Sequence, residues 1–137
     1  MRSILVLFCL GILLSGCLGS TDPGPGLPTL LRQFPEAMRW KDFHGAASYL
    51  QPAAQEIFSE QFNEDDDLFI VGSRIIKVDL HEKEGWAEAE YEMEYYRLPS
   101  TRVKKWQWTQ RWSQSENIMK PGVWLIENAP PVLPWKD

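Results

Sequence analysis

The stretch GWAEAEYEMEYYR at residues 85–97 decides the fold, because apolar and charged side chains alternate along it. One face holds small, aromatic or thioether side chains: Ala87, Ala89, Tyr91, Met93 and Tyr95. Glutamates occupy the positions between them. A period of two residues indicates a β-strand with one buried and one solvated face. The stretch RVKKWQWTQRWSQ at residues 102–114 alternates in the same way, so two long strands are predicted.

These two strands predict their own register, with residues 98–101 as the turn between them. On the apolar face Met93 then lies opposite Trp106. On the charged face Glu94 lies opposite Lys105. Cross-strand pairs of these kinds contribute roughly 0.2–1 kcal/mol each. A slip of one residue would turn the tryptophans toward the glutamates, so the sequence favours this register.

Two further strands complete the predicted sheet. Residues 68–80 are rich in Ile, Val and Phe, with Gly72 as a candidate β-bulge. Residues 81–84 are predicted to turn the chain into the next strand. Residues 123–127 form a short fourth strand after a Lys-Pro-Gly turn. Strands in chain order with short turns predict an antiparallel meander.

The residues before the sheet are helical in pattern. Apolar side chains recur at helical spacing in the first segment: Leu30, Leu31, Phe34 and Met38. Pro35 is expected to kink this helix or to start a new turn. Asp42 is predicted to cap a second helix that reaches Leu50, and Pro52 to begin a third. Helices followed by a meander predict an α+β fold, with N-terminal helices packed on a curved antiparallel sheet.

The N-terminus carries a signal for export. Arg2 precedes an uncharged apolar run at residues 4–14. This run is too short for a spanning helix, which needs roughly 20 residues, but it has the length of a signal-peptide core. The sequence Leu14-Ser15-Gly16-Cys17 follows, and it resembles the lipobox of bacterial lipoproteins. The resemblance implies that residues 1–16 are removed and that Cys17 is lipidated.

The lipobox resemblance also implies a location. Lipid on Cys17 would attach the chain to a membrane of the bacterial cell envelope. Position 18 is Leu, not Asp, which in this family favours the periplasmic face of the outer membrane in a Gram-negative cell. Residues 17–28 are rich in Pro and Gly and are predicted to be the lipidated cysteine and a flexible tether. A single domain is predicted over residues 29–137.

Composition excludes several classes of function. Cys9 lies in the predicted signal peptide and Cys17 in the lipobox, so the mature domain has no cysteine for a disulfide, a nucleophile or a metal site. Without Arg2, 13 basic and 19 acidic side chains leave a net charge of −6, which argues against nucleic acid as a partner. No phosphate-binding loop or dinucleotide motif is present. We therefore predict no cofactor and no metal.

The order of elements resembles the NTF2-like (cystatin-like cone) superfamily. The residues that carry the resemblance lie between positions 29 and 127: Trp40-Lys41-Asp42, Ala46-Ala47-Ser48-Tyr49-Leu50-Gln51-Pro52, Gln110-Arg111-Trp112 and Trp124-Leu125-Ile126. In that superfamily the sheet curls around the helices and leaves a pocket at its wide end. The resemblance therefore implies a cone that is either open or filled by side chains.

Two sets of aromatic residues are candidate sites. The apolar sheet face would line the pocket of an open cone or form the core of a filled one: Tyr91, Tyr95, Trp106, Trp108 and Trp112. Trp86 and Tyr96 fall on the charged face and are candidates for contact with a protein partner.

Residues for catalysis are sparse. Enzymes of the superfamily, of the ketosteroid isomerase and polyketide cyclase type, use an Asp or His in the pocket. This chain has only His44 and His81, far apart in sequence, and Asp42 is placed as a helix cap. The acidic run at residues 63–67 lacks the spacing of a calcium loop and is predicted to be a solvated loop.

Three hypotheses follow from these observations. The sequence favours a non-catalytic module that binds another envelope protein. The alternative is a carrier of a small apolar ligand in the cone. An isomerase-like or cyclase-like enzyme is the least supported of the three.

Overall fold

The computed structural model describes residues 26–116 and 122–136. The predicted signal peptide, Cys17 and most of the tether lie outside the described residues. The helices are α1 (Leu27–Arg39), α2 (Phe43–Ala47) and α3 (Pro52–Gln61), and the strands are β1 (Leu68–His81), β2 (Trp86–Arg97), β3 (Lys104–Gln114) and β4 (Trp124–Ile126). This order confirms the predicted α+β class. In this part of the chain, no helix has the length and apolar character needed to cross a membrane.

The strands form one antiparallel sheet in the order β1-β2-β3-β4. The predicted register of β2 against β3 is confirmed, with Met93 opposite Trp106 and Glu94 opposite Lys105. Each face of the sheet therefore carries the side chains expected from the alternation. The face with the aromatic residues turns toward the helices.

The turn between β1 and β2 lies one residue later than residues 81–84. His81 is still part of β1, where it pairs with Trp86, and the two rings stack with centroids 3.7 Å apart. A single 3-10 turn, Glu82–Glu84, follows. Gly85 then closes the turn at φ 72°, a left-handed conformation that glycine adopts without steric cost. The ring stack thus extends the strand by one residue.

Strand β1 contains two bulges. One lies between Ile70 and Gly72 and confirms the predicted irregularity at the glycine. A Cβ at position 72 would lie 2.7 Å from a carboxylate oxygen of Glu94, so a side chain there would displace that carboxylate. The second bulge lies between Ile75 and Lys77. The sequence has no glycine there from which this bulge could be predicted.

Helix α1 begins at Leu27, two residues before the predicted boundary between tether and domain. Leu27 is buried and Pro28 occupies the first turn, where its missing N–H removes no hydrogen bond. Pro35 neither ends nor restarts the helix but lies inside it. Its carbonyl oxygen accepts a hydrogen bond of 2.7 Å from Ser73 Oγ on β1. The proline therefore links the helix to the sheet.

Helix α2 is shorter than predicted. Asp42 Oδ1 accepts the N–H of Gly45 at 2.9 Å, which confirms the cap. The helix ends at Ala47 instead of reaching Leu50, because the following residues pair with β4. Leu50 forms a parallel bridge with Ile126. The Gln51 N–H donates to the Ile126 carbonyl at 2.9 Å, and the Ile126 N–H donates to the Tyr49 carbonyl at 2.8 Å.

The core lies between the helices and the aromatic face of the sheet. Phe34 is fully buried at its centre. Its ring centroid lies 5.3 Å from Tyr91, 5.9 Å from Trp108 and 6.4 Å from Trp112, each in an edge-to-face contact. The segment after β4 is irregular, as predicted, yet Leu133 in it is also buried. One aromatic layer thus joins both halves of the chain.

Candidate functional site

The predicted aromatic pocket is part of the core. All five residues are at least nine-tenths buried: Tyr91, Tyr95, Trp106, Trp108 and Trp112. Phe34 and Phe58 occupy the space that an open cone would leave. The ring of Phe58 stacks on Trp108 with centroids 6.3 Å apart. Four cavities lined by described residues lie at the surface, and of the five aromatic residues only Tyr95 borders one of these four.

Polar groups inside this layer are mostly matched to one another. Tyr91 Oη and Ser73 Oγ lie 2.7 Å apart, and burial raises the pKa of the phenol, which stays neutral. The indole N–H of Trp112 donates to Gln110 Oε1 at 3.0 Å. Sequence reasoning missed Gln110 as a core residue because glutamine is rarely buried.

The interior offers little for proton transfer. Within residues 26–116 and 122–136, the buried polar or charged residues are Glu92 and Gln110, and Glu92 lies on the outer face. His44 is exposed, and His81 lies at the end of β1, 3.1 Å from Asp79 Oδ2. Trp108 Nε1 and the amide N–H₂ of Gln110 have no acceptor among these residues. A polar acceptor entering the core would meet those two donors.

The two candidate contact residues on the outer face, Trp86 and Tyr96, do not form one patch. They lie near opposite ends of β2, about 33 Å apart along an extended strand. Trp86 is half-buried between the ring of His81 and the guanidinium of Arg111, whose central carbon lies 4.0 Å from the ring centroid. Tyr96 is half-buried against Phe69, with centroids 4.9 Å apart. Both rings already have partners within the chain.

In the glutamate row between these rings, Glu90, Glu92 and Glu94 are ion-paired, as predicted for an outer face, but the centre of the row is not solvated. Glu92 is 5% exposed. It accepts a hydrogen bond of 3.0 Å from Gln107 Nε2 and contacts Lys105 and Arg74. The Gln107 hydrogen bond and the charges of Lys105 and Arg74 lower the pKa of Glu92 below its usual value. Arg74 was not predicted here, because the bulges in β1 shift its position relative to β2.

Replacement of Glu92 by Gln is expected to flatten the acid limb of the stability profile. The pKa of Glu92 is lower in the folded chain than its ordinary value of 4.5. The contribution of the Glu92 carboxylate to folding stability is therefore fully present above pH 4.5 and is lost as the pH falls below it, through the folded pKa. Urea unfolding measured at several pH values above and below pH 4.5 tests the slope. Glu88→Gln, on the same face but exposed, is the matched control, and a Glu92→Gln curve parallel to the parent curve would contradict the assignment.

The acidic run at residues 63–67 is exposed, as predicted, except at Asp65, which is half-buried. Asp65 Oδ2 lies 3.1 Å from Arg97 Nε, and its carbonyl oxygen accepts Lys41 Nζ at 2.8 Å. Burial alone would raise the pKa of Asp65, but the hydrogen bond and charge of Arg97 hold it below its usual value. The loop thus bonds to the connection between α1 and α2 and to β2. Among the described residues, no cluster of three or more His, Cys, Asp or Glu side chains could hold a metal ion.

The best-exposed large aromatic side chain is Trp40, at the end of α1, with 73% of its surface accessible. It borders a groove of about 620 Å³ between α1 and α2, whose other lining residues are Arg32, Gln33, Glu36, Ala37, Asp42 and Tyr49. The indole N–H donates to Glu36 Oε1 at 2.6 Å, which fixes the ring at the rim. Two residues after buried Met38, Trp40 lies about 200° around the helix. That spacing is the sequence signal that could have identified it.

Comparison with protein-family models, with curated proteins and with solved structures gives no significant match to this chain. The fold is therefore described as α+β, with three helices on a four-stranded antiparallel sheet. Membership of the NTF2-like superfamily stays a prediction.

Proposed function

We propose that this chain is a lipid-anchored protein of the bacterial envelope whose NTF2-like domain binds a protein partner without catalysis. The observation that carries the proposal is the contrast between the two aromatic surfaces. The rings of the sheet face pack into a filled core, whereas Trp40 stands exposed beside a groove. Trp is the residue type most often found at the energetic centre of a protein interface.

The groove combines apolar, charged and neutral polar groups that a protein partner could contact. The Trp40 ring supplies apolar area, and its hydrogen bond to Glu36 holds it in one orientation before binding, which lowers the entropic cost of association. Two carboxylates, Glu36 and Asp42, and one cation, Arg32, line the groove. Burial and the charge of Asp42 raise the pKa of Tyr49, so its hydroxyl stays a neutral polar group. The partner would bring an apolar side chain next to a basic one.

The alternative functions require a change in the core. A carrier of a small apolar ligand would have to displace Phe34 or Phe58 to open the space behind Tyr91 and Trp108. An isomerase-like or cyclase-like enzyme would need an ionisable group in that space as well. Because side chains fill the aromatic layer, the binding module is favoured over both the carrier and the enzyme.

Attachment in this proposal rests on Cys17. Helix α1 begins at Leu27. Nine residue steps separate Cys17 from Gly26 and span at most about 32 Å. The domain would therefore stay within a short distance of the bilayer, at the periplasmic face of the outer membrane in a Gram-negative cell. Its negative charge gives it no electrostatic attraction to anionic lipid headgroups.

Site-specific photo-cross-linking in intact cells tests the groove. With a benzophenone amino acid at exposed position 32, we expect a discrete protein adduct. Trp40→Ala should reduce its yield at least tenfold, because loss of an interface anchor costs about 2 kcal/mol or more. Ile57→Ala is the matched control, since Ile57 is also an exposed apolar residue on a helix. An adduct that survives Trp40→Ala, or no adduct from position 32, would contradict the proposed site.

A further inference from the structure

Strand β1 is an outer strand of the sheet with one edge unpaired. Within the described chain, residues 69–81 make no backbone hydrogen bond outside the sheet ladder. Five consecutive residues near the end of the strand, positions 76–80, are exposed. Three of them are apolar: Ile76, Val78 and Leu80, at 43%, 44% and 52% exposure. An open strand edge with exposed apolar side chains is a template for pairing with another strand.

The regular part of this edge is short and well defined. The second bulge of β1 ends at Lys77, and from Lys77 to His81 every residue pairs with β2 without interruption. Val78 and Leu80 lie on the helix side of the sheet, opposite Ala89 and Ala87. Lys77 and Asp79 lie on the outer side. A second strand could therefore add along residues 77–81, with Ile76, the unpaired residue of the bulge, at the end of the added strand.

We infer that this edge pairs with the same edge of a second copy, antiparallel, with Val78 on the two-fold axis. Val78 then lies opposite its own copy, Ile76 opposite Leu80, and Lys77 opposite Asp79, each of the last two pairs occurring twice. Lys77 and Asp79 retain 70% and 66% exposure of their side chains, so both can reach across the new pair. The edge is thus complementary to itself in shape and in charge.

Neighbouring registers lack this complementarity. If the axis passed through Lys77 or through Asp79, two like charges would lie directly opposite each other, which is destabilising. A shift of one residue along only one strand would place apolar side chains against charged ones. With Val78 on an axis perpendicular to the sheet, the helices of both copies stay on the same side. The result is a continuous antiparallel sheet of eight strands.

Disulfide trapping tests the register. The full chain carrying Val78→Cys is expressed, and its membranes are treated with a mild oxidant. Directly opposed residues have Cα atoms about 4.5–5.5 Å apart, within the range of a disulfide, so most of the chain is expected as a cross-linked dimer. Leu80→Cys is the matched control, because position 80 of the two copies would be about 13 Å apart and its yield should be at least tenfold lower. The parent chain measures any cross-linking through Cys9 or Cys17.

Charge exchange in the Val78→Cys chain separates specific pairing from random collision. Lys77→Asp places two acids opposite each other and should reduce the dimer yield at least fivefold. Adding Asp79→Lys restores the opposite charges and should restore the yield. Equal yields at positions 78 and 80, no rescue by the double exchange, or a cross-link to a different protein would each overturn the inference.

The pairing is independent of the groove. Trp40→Ala in the Val78→Cys chain should leave the dimer yield unchanged. Failure of the partner experiment would therefore leave this result intact, and failure of the pairing would leave the proposed function intact.

Discussion

Phe34→Ala is expected to lower the free energy of unfolding by about 3–5 kcal/mol, the usual cost of removing a buried phenylalanine ring. Phe34 is fully buried, and its ring contacts five other aromatic rings. Four of these rings lie on α3, β2 and β3, and the fifth, that of Tyr49, lies just after α2. No single element could fill the space that the ring leaves. Because domains are stable by only about 5–15 kcal/mol, the loss would be a large share of the total. Urea unfolding followed by tryptophan fluorescence measures it.

Two further variants provide reference values for the change in unfolding free energy. Phe34→Leu keeps most of the apolar volume and should cost clearly less than Phe34→Ala. Ile57→Ala removes an exposed apolar side chain and should change the stability by no more than about 0.5 kcal/mol. If Phe34→Ala were as mild as Ile57→Ala, the interior would not be packed around this ring. A carrier with an open cone would then become the better reading of the aromatic face.

Cys17→Ser is expected to abolish lipid attachment and to release the protein from the membrane fraction. A thioether-linked diacylglycerol and an amide-linked acyl chain each need Cys17 at the start of the mature chain. Burial of acyl chains contributes about 0.8 kcal/mol per methylene, and two or more chains make attachment stable. Without the thiol, nothing in the proposed arrangement holds the domain at the bilayer. Metabolic labelling with a fatty acid, followed by fractionation, measures both effects.

Cys9→Ser is the matched control, because Cys9 lies in the segment predicted to be removed. This variant should keep both the label and the membrane location. Label that persists in Cys17→Ser would show that the lipobox assignment is wrong. Loss of label together with retention in the membrane would mean that another part of the protein also binds there.

The pairing of β2 with β3 could be predicted because it depends on side-chain patterns in two adjacent stretches of the sequence. Alternation along β2 and β3 fixes which side chains face inward, and cross-strand charge pairs fix the register, so Met93 meets Trp106 and Glu94 meets Lys105 as expected. Strand β1 departs from this rule. The bulge between Ile75 and Lys77 has no signal in the sequence, and it changes which residues of β1 reach the glutamates of β2.

The candidate site was less predictable because it depends on contacts between distant segments. An aromatic sheet face has the same pattern whether it lines a pocket or a core. The decision comes from Phe34 and Phe58, which reach across from the helices. For Trp86, the pattern gave the correct face, but it could not show that His81 and Arg111 would cover the ring. Trp40 was not predicted as a contact residue, although its spacing from the buried Met38 places it on the outer side of α1.

The bridge between Leu50 and Ile126 has a consequence for uncontrolled assembly. A sheet grows into a fibre only when strands can add at both of its edges. At the β4 edge, the chain itself already occupies the backbone groups of Ile126, and the strand is only three residues long. Addition beside Ile126 is therefore blocked, whereas residues 104–110 of β3 lie outside the pairing with the short β4. In a pair joined through the two β1 edges, the backbone groups of Ile126 at each outer end would therefore be unavailable to a third copy.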